Sequence, residues 1–163
     1  MKILLTRDLR GRKISIPAWR RLIAWLMTKA SAMNPGRAWV ECSVVLVGHQ
    51  RMTALNEHVL EHEGTTDVIT FSYPTEPGES PAGWRAEIVI NVEEAEEVAG
   101  PDPRAVSREL ALYLAHGCQH LGGADDATPG QRRAMAARQN RWLRQAARHG
   151  LWEGLIASRR PAV

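Results

Sequence analysis

The stretch from residue 104 to residue 121 constrains the fold most strongly. Its apolar residues recur at helical spacing, and the pair Gly122-Gly123 follows it directly. This pattern predicts an amphipathic helix that ends at the glycines. The predicted buried stripe consists of Val106, Leu110, Leu114 and Leu121. We therefore take this helix as the most strongly predicted element of the chain.

Strands and further helices are predicted on both sides of this helix. β-Branched and apolar runs predict strands at residues 2–6, 39–47, 67–73 and 86–92, and helical periodicity predicts helices at residues 17–30, 50–62, 93–99 and 128–149. Residues 74–85 are rich in Pro and Gly and predict a mobile loop. The mixed order indicates an α+β fold with one sheet, and 163 residues suit a single domain. Residues 151–163 carry no clear pattern and are predicted as a flexible tail.

The composition indicates an intracellular protein. No apolar run is long enough to span a bilayer, and the N-terminus lacks the apolar region of a secretory signal. We therefore predict a cytoplasmic protein with no membrane partner. Cys42 and Cys118 fit a reducing compartment, and a disulfide between them is not expected. We interpret Cys118 as a small buried apolar residue.

Positive charge is concentrated at the two ends of the chain. Residues 1–29 hold eight Lys or Arg against one acid, and residues 127–152 hold six Arg and no acid. A polyanion would favour these segments over the acidic middle of the chain. The alternative is that the arginines only solvate helix surfaces.

Two histidines lie on the predicted helix just before its end. His116 and His120 are four residues apart, so their imidazoles share one face and can address one point. A tetrahedral metal needs a third ligand from outside that line. Once the glycine pair reverses the chain, Asp126 is well placed to supply it, and Asp125 is the neighbour to be excluded. The spacing matches the extended metzincin pattern, with aspartate in place of the last histidine.

The sequence therefore predicts a metal centre with the ligands His116, His120 and Asp126. Three protein ligands leave a fourth position for water, which is typical of a catalytic zinc site. The alternative is that the histidines are ordinary polar residues of a helix. In zinc proteases a glutamate follows the first histidine and acts as general base. Here that position is Gly117, which weakens a peptidase interpretation.

Several segments resemble the YbeY endoribonuclease family. HGCQHLGGADD resembles the family signature HGxLHLxGYDH, LNEHVLEHEGTTDVITFSYP resembles its LN…TDVLSFP block, and AEIVIN resembles its GDIVI strand. VSRELALYLAHG and MAARQNRWL resemble the helices on either side of the histidine signature. The order and spacing of these segments agree over residues 39–145.

The resemblance implies a metal-dependent, single-strand-specific endoribonuclease that acts in maturation of the 16S ribosomal RNA 3′ end and in ribosome quality control. It implies a small mixed sheet of about four strands flanked by helices, with a zincin-like site at a helix end. One Zn²⁺ per chain would be held at the positions of His116, His120 and Asp126. The expected partners are ribosomal RNA and the small ribosomal subunit, and DNA is not expected.

Other residues are predicted to assist this site. Asp67 would act in catalysis by orienting a ligand histidine, or would only cap the turn before its strand. Glu109 would orient a histidine or lie on a solvated face. The arginines of the last helix would follow the RNA backbone; they include Arg132, Arg133, Arg138 and Arg141.

The sequence also departs from the family pattern. Asp126 replaces a histidine, which adds negative charge and should admit Mn²⁺ or another divalent metal. Leu60 stands where the family has an arginine, four residues after Asn56, unless Arg85 or a C-terminal arginine replaces it. Ala124 replaces a tyrosine, and Ala86-Glu87 replaces Gly-Asp. The alternatives are therefore a zincin-type metallopeptidase or a non-catalytic ribosome-associated factor.

Overall fold

The computed structural model describes residues 1–157, which form a four-stranded sheet with helices on both faces. The strands are β1 (Lys2–Asp8), β2 (Trp39–Val47), β3 (Val68–Pro74) and β4 (Trp84–Asn91). The helices are α1 (Ile16–Met33), α2 (His49–Val59), α3 (Val92–Ala99), α4 (Pro103–Leu121) and α5 (Pro129–Arg148). The predicted α+β class and the four strands are confirmed.

The sheet has the strand order β1-β2-β4-β3 and is mixed. The first three strands in that order are parallel, whereas β3 pairs antiparallel with β4 and forms an edge. This arrangement matches the sheet that the family resemblance implied. Because β3 is an edge strand, one of its sides is left free of a neighbouring strand.

Helix α4 occupies the centre of the main core. It packs against α1, α3 and α5 and against β3 and β4, and its buried side chains include all four members of the predicted stripe. A smaller cluster lies on the other face of the sheet, where Met52 of α2 packs on Val47, Ile69 and Val89. The sheet is thus covered on both faces, and α4 has little freedom to move.

Polar side chains mark the helix starts. The predicted capping box of α5 is confirmed, since Gln131 N donates to Thr128 Oγ1 over 3.2 Å and Thr128 N donates to Gln131 Oε1 over 2.9 Å.

Helix α2 ends at Val59, earlier than the predicted residue 62. The Asn56 carbonyl accepts from both Leu60 N and His62 N there, which turns the chain out of the helix.

The chain after α5 returns to the core. The side chains of Trp152, Leu155 and Ile156 are buried, and Trp19 Nε1 donates to the Leu155 carbonyl over 3.1 Å. The prediction of a flexible tail is therefore wrong for residues 151–157. The rest of that predicted tail, residues 158–163, lies outside the described residues.

Two further predictions concern the cysteines and the membrane. Cys42 and Cys118 are both free and fully buried. Burial raises the pKa of the Cys118 thiol well above its ordinary value, as expected for a small apolar residue in a core. Within residues 1–157, no helix is both long and apolar enough to cross a membrane.

Candidate metal centre

The end of α4 sets the geometry of the candidate site. Gly122 is the C-cap, and Gly123 follows with φ +91°, a left-handed conformation that glycine adopts without strain. Gly123 N donates to the His120 carbonyl and Ala124 N donates to the Gln119 carbonyl, the two bonds of a Schellman motif. The predicted reversal at the glycine pair is thus present, and it returns the chain toward the histidines.

This reversal brings three ligand atoms together. His116 Nε2 lies 3.1 Å from His120 Nε2, and Asp126 Oδ2 lies 3.6 Å and 3.7 Å from these two nitrogens. A tetrahedral Zn²⁺ with bonds near 2.1 Å separates its ligand atoms by about 3.4 Å. The three separations scatter around that value, so the residues present fit a metal of this kind.

Asp125 does not take part in this cluster. Its Oδ1 accepts a hydrogen bond from Asp126 N over 2.8 Å, so its carboxylate closes the turn that presents the next residue. The structure therefore separates the two aspartates that the sequence left adjacent. Asp126 faces the histidines, and Asp125 supports the loop.

Each histidine is held by its second ring nitrogen. His120 Nδ1 lies 3.1 Å from the Ala124 carbonyl oxygen, and His116 Nδ1 lies 3.3 Å from Gln139 Oε1. Both oxygens are acceptors, so each Nδ1 can donate there, and in that tautomer each Nε2 offers a lone pair to an ion. This is the arrangement in which metal-binding histidines are commonly oriented.

The two orienting groups were not predicted. Asp67 and Glu109 were the expected partners of the ligand histidines, whereas the structure places the Ala124 carbonyl and Gln139 there. Gln139 comes from α5, on a separate helix and 23 positions after His116. Helical periodicity would mark it only as a partly buried polar position, which is a weak signal.

Asp67 instead supports the start of β3. Its Oδ1 accepts from Val68 N over 2.8 Å and from the Thr66 hydroxyl over 3.2 Å. Of the two roles predicted for Asp67, the structure therefore shows the capping of the turn before β3. Asp67 also lines the cleft that contains His116, His120 and Asp126. Its predicted role in catalysis therefore stays a prediction.

The cluster opens into a cleft of about 440 Å³ between the end of α4 and the edge strand β3. Leu60 and His62 line this cleft from the chain after α2. Leu60, at the position where the resemblance implies an arginine, thus lies in the cleft and presents an apolar side chain there. Arg85 does not replace it, because its Nη2 lies 2.6 Å from Glu79 Oε1 in an ion pair away from the cleft lining.

Gly117 faces away from the ligands and onto the sheet. A Cβ at this position would lie 2.9 Å from Thr70 Cγ2 and 3.2 Å from Ile88 Cγ2. The glutamate of zinc proteases would therefore collide with β3 and β4 here. This packing explains why residue 117 is a glycine. The site therefore lacks the glutamate that serves as general base in zinc proteases.

The predicted RNA-contacting arginines separate into two groups. Arg132 Nη1 donates to the carbonyls of Asp126 and Ala127 over 3.0 Å and 3.2 Å, and Arg138 Nη1 donates to Gln119 Oε1 over 3.1 Å. These two residues hold the ligand loop and join α5 to α4. Arg133 and Arg141 are exposed on α5.

A second group of candidate ligand residues lies at the start of α2 and along α3. His49, Glu94 and Glu97 place ligand atoms within 4.8 Å of one another. However, His49 Nε2 lies 2.9 Å from Glu97 Oε1 while Nδ1 lies 3.0 Å from Asn91 Nδ2. Since both ring nitrogens already have partners, this group acts as a hydrogen-bonded network. The amide of Asn91 also donates to the Thr66 carbonyl and so holds the loop before β3.

The chain is similar to several known proteins. The family model described as Endoribonuclease YbeY matches residues 6–147. A protein named Endoribonuclease YbeY from Anaeromyxobacter sp. (strain Fw109-5) is 38% identical over 125 residues, which are 76% of this chain and 64% of that protein. Its counterpart from Anaeromyxobacter dehalogenans is 36% identical over 122 residues, 75% of this chain and 61% of that protein. The match thus spans a little under two thirds of the length of these relatives.

A solved structure shows the same fold. The solution structure of TM1509 from Thermotoga maritima has 22% sequence identity and a TM-score of 0.51, and the match covers 88% of this chain and 87% of that one. The family match over residues 6–147 establishes the relationship. This chain belongs to the YbeY endoribonuclease family.

Proposed function

We propose that this protein is a metal-dependent, single-strand-specific endoribonuclease. The observation that carries the proposal is the convergence of His116 Nε2, His120 Nε2 and Asp126 Oδ2 within 3.1–3.7 Å in an open cleft. Membership of the YbeY family supports it independently.

The chain's own residues would prepare the site. His116, His120 and Asp126 would hold one Zn²⁺ per chain, and the carboxylate would also accept Mn²⁺ or another divalent ion. Such an ion would supply Lewis-acid activation at a phosphodiester. Gln139 and the Ala124 carbonyl would accept from the two Nδ1 atoms and so turn each Nε2 toward the ion. Asp67 keeps Oδ2 for a hydrogen bond from the substrate or water, since Oδ1 is used by β3.

The proposed substrate is ribosomal RNA, and the proposed partner is the small ribosomal subunit. The activity would serve maturation of the 16S RNA 3′ end and ribosome quality control in the cytoplasm. Arg133 and Arg141 are exposed on α5, directly after the ligand loop, and would contact the RNA backbone. Arg132 and Arg138 would contribute by holding the loop and the helix in place.

Two other functions predict different results. A zincin-type peptidase is disfavoured because Gly117 packs onto the sheet where the catalytic glutamate would stand. A non-catalytic ribosome-associated factor is favoured by one observation, the apolar Leu60 in the cleft. Such a factor would bind ribosomal RNA equally well with and without a chelator.

The test combines metal analysis with cleavage. Native protein should contain about one divalent ion per chain, and it should cut single-stranded RNA in a chelator-sensitive manner. His120→Ala should lose both the ion and the cleavage while keeping the circular dichroism spectrum. Absence of metal from the native protein, or cleavage by His120→Ala at the parental rate, would overturn the proposal. Cleavage of a peptide library but not RNA would favour the peptidase.

A further inference from the structure

An arginine lies over the ring of a tryptophan and contacts the strand that lines the metal cleft. The Arg37 guanidinium carbon lies 4.0 Å from the centroid of the Trp84 ring and 5.8 Å from that of Trp39. Arg37 Nη1 also donates to Ser72 Oγ over 3.1 Å. Stacking and a hydrogen bond together favour one orientation of the guanidinium of this half-buried residue. The edge of the planar group still offers its other N–H donors.

This group lies on the same face of the sheet as the metal ligands. Thr70 of β3 lines the metal cleft, and its side chain faces Gly117 of α4. Ser72 follows two positions later on the same strand, so its side chain points to the same face. Two residues of a strand span about 6.7 Å. Ser72 therefore lies about that far beyond the cleft-lining Thr70 along β3.

The charge of Arg37 is not neutralised by the protein. Within residues 1–157, no carboxylate oxygen lies within 4.0 Å of its guanidinium nitrogens. The acids of the nearest strands, Glu41 and Glu87, occupy positions that face the opposite side of the sheet from Ala86 and Ile88. An oriented cation without a carboxylate partner suits an anionic ligand such as a phosphate.

We propose that Arg37, held on Trp84 and by Ser72, is a phosphate-binding subsite for single-stranded RNA. It takes a phosphate of the strand that enters the metal cleft and aligns the RNA along the edge strand β3. This inference rests on the proposed function, because it assigns a contact to the same RNA substrate. Arg37 is thus a substrate-positioning residue, with no role in bond cleavage.

The test compares two variants that lose the same charge. Arg37→Gln removes the proposed contact, while Arg21→Gln removes an exposed arginine in the first half of α1. Residues 21–33 of that helix alone span about 18 Å, which separates the control from the site. Binding of a fluorescent single-stranded RNA is measured by anisotropy in the presence of a chelator, over a range of salt concentrations.

The expected result has two parts. Arg37→Gln should raise the Kd about tenfold, and it should reduce the slope of log K against log salt by about 0.7, the value for one phosphate contact on a single strand. With metal restored, it should raise KM while kcat stays near the parental value. Arg21→Gln should change none of these quantities beyond a small screened effect.

The outcomes separate this inference from the function on which it rests. If the parent binds and cleaves RNA but Arg37→Gln matches Arg21→Gln in Kd and salt slope, the subsite is overturned and the nuclease proposal stands. If Arg37→Gln instead lowers kcat while the Kd for RNA is unchanged, Arg37 does not act by positioning the substrate, and the subsite is also overturned. If the parent neither binds nor cleaves RNA, both proposals fail together.

Discussion

His116 Nε2 lies 3.1 Å from His120 Nε2, while the Nδ1 atom of each ring faces an oxygen acceptor. Two lone pairs therefore point toward one another, with Asp126 Oδ2 completing the triangle. Three acceptors at this separation repel unless a metal ion or a proton lies between them. The arrangement therefore suits a bound ion, and the orientation of each ring contributes to the candidate site.

Replacement of one aspartate should remove the ion, whereas replacement of its neighbour should not. Asp126→Asn keeps the size of the side chain but loses the charge of a ligand, so metal affinity should fall at least about tenfold. Asp125→Asn is the matched control, because its carboxylate accepts from a backbone N–H. Titration with Zn²⁺ monitored by calorimetry measures both affinities. Equal losses in the two variants would contradict the assignment of the third ligand.

The orientation of His116 should depend on α5. Gln139→Leu removes the acceptor of the Nδ1 proton, so metal affinity should fall about 10- to 100-fold at nearly unchanged stability. Gln139→Glu keeps an acceptor and should retain most of the affinity. Asn140→Ala, a change at the next and exposed position, serves as the control. Parental affinity in Gln139→Leu would show that the ring needs no such partner.

Gly117 should resist even the smallest side chain. Gly117→Ala places a methyl group 2.9 Å from Thr70 Cγ2, and this overpacking should lower the free energy of unfolding by about 1–3 kcal/mol. Alanine is otherwise the better helix former, so Gly130→Ala in α5, where the nearest atom is 4.0 Å away, should be neutral or stabilising by up to about 1 kcal/mol. Urea denaturation of both variants checks the contrast. A stable Gly117→Ala variant would mean that the sheet yields at this point.

An arginine at position 60 should raise the kcat/KM of RNA cleavage. Leu60 lines the cleft and is 37% exposed, so Leu60→Arg can direct a guanidinium toward the substrate with little loss of stability. One added phosphate contact should raise kcat/KM about tenfold and steepen the salt dependence. Leu60→Gln, of similar length but uncharged, is the control. If both variants cleave at the parental rate, the cleft does not need a cation at this position.

The buried thiol of Cys42 should make stability fall in alkali. Burial raises the pKa of Cys42 to about 12, whereas an unfolded cysteine titrates near about 8.5. The folded state therefore keeps its proton to higher pH than the unfolded state does. The stabilisation is fully present below about pH 8.5 and is lost as the pH rises toward the folded value, by roughly 1 kcal/mol at pH 9.5. Unfolding free energies measured from pH 7 to 10 should decline less steeply in Cys42→Ala than in the parent.

The local elements of this protein were largely predictable from its sequence. The apolar stripe of α4, the glycine pair after it and the capping box of α5 depend on residues a few positions apart, and each is found where its pattern predicts. The spacing of His116, His120 and Asp126 likewise predicted one cluster, because a helical turn and a glycine reversal determine it. The end of α2 was misplaced, since the hydrogen bond that Asn56 Nδ2 donates to the Gly64 carbonyl belongs to a loop with no periodic pattern.

Contacts between distant segments were decided only by the tertiary structure. Gln139 meets His116 because α5 packs along α4, and Gly117 is required because β3 and β4 pass beneath it. The return of Trp152, Leu155 and Ile156 to the core and the stacking of Arg37 on Trp84 are of the same kind. None of these pairs shares a local periodicity, so their partners depend on how whole helices and strands pack together. The sequence alone therefore indicated which atoms can bind a metal, while the packing decided which groups orient them.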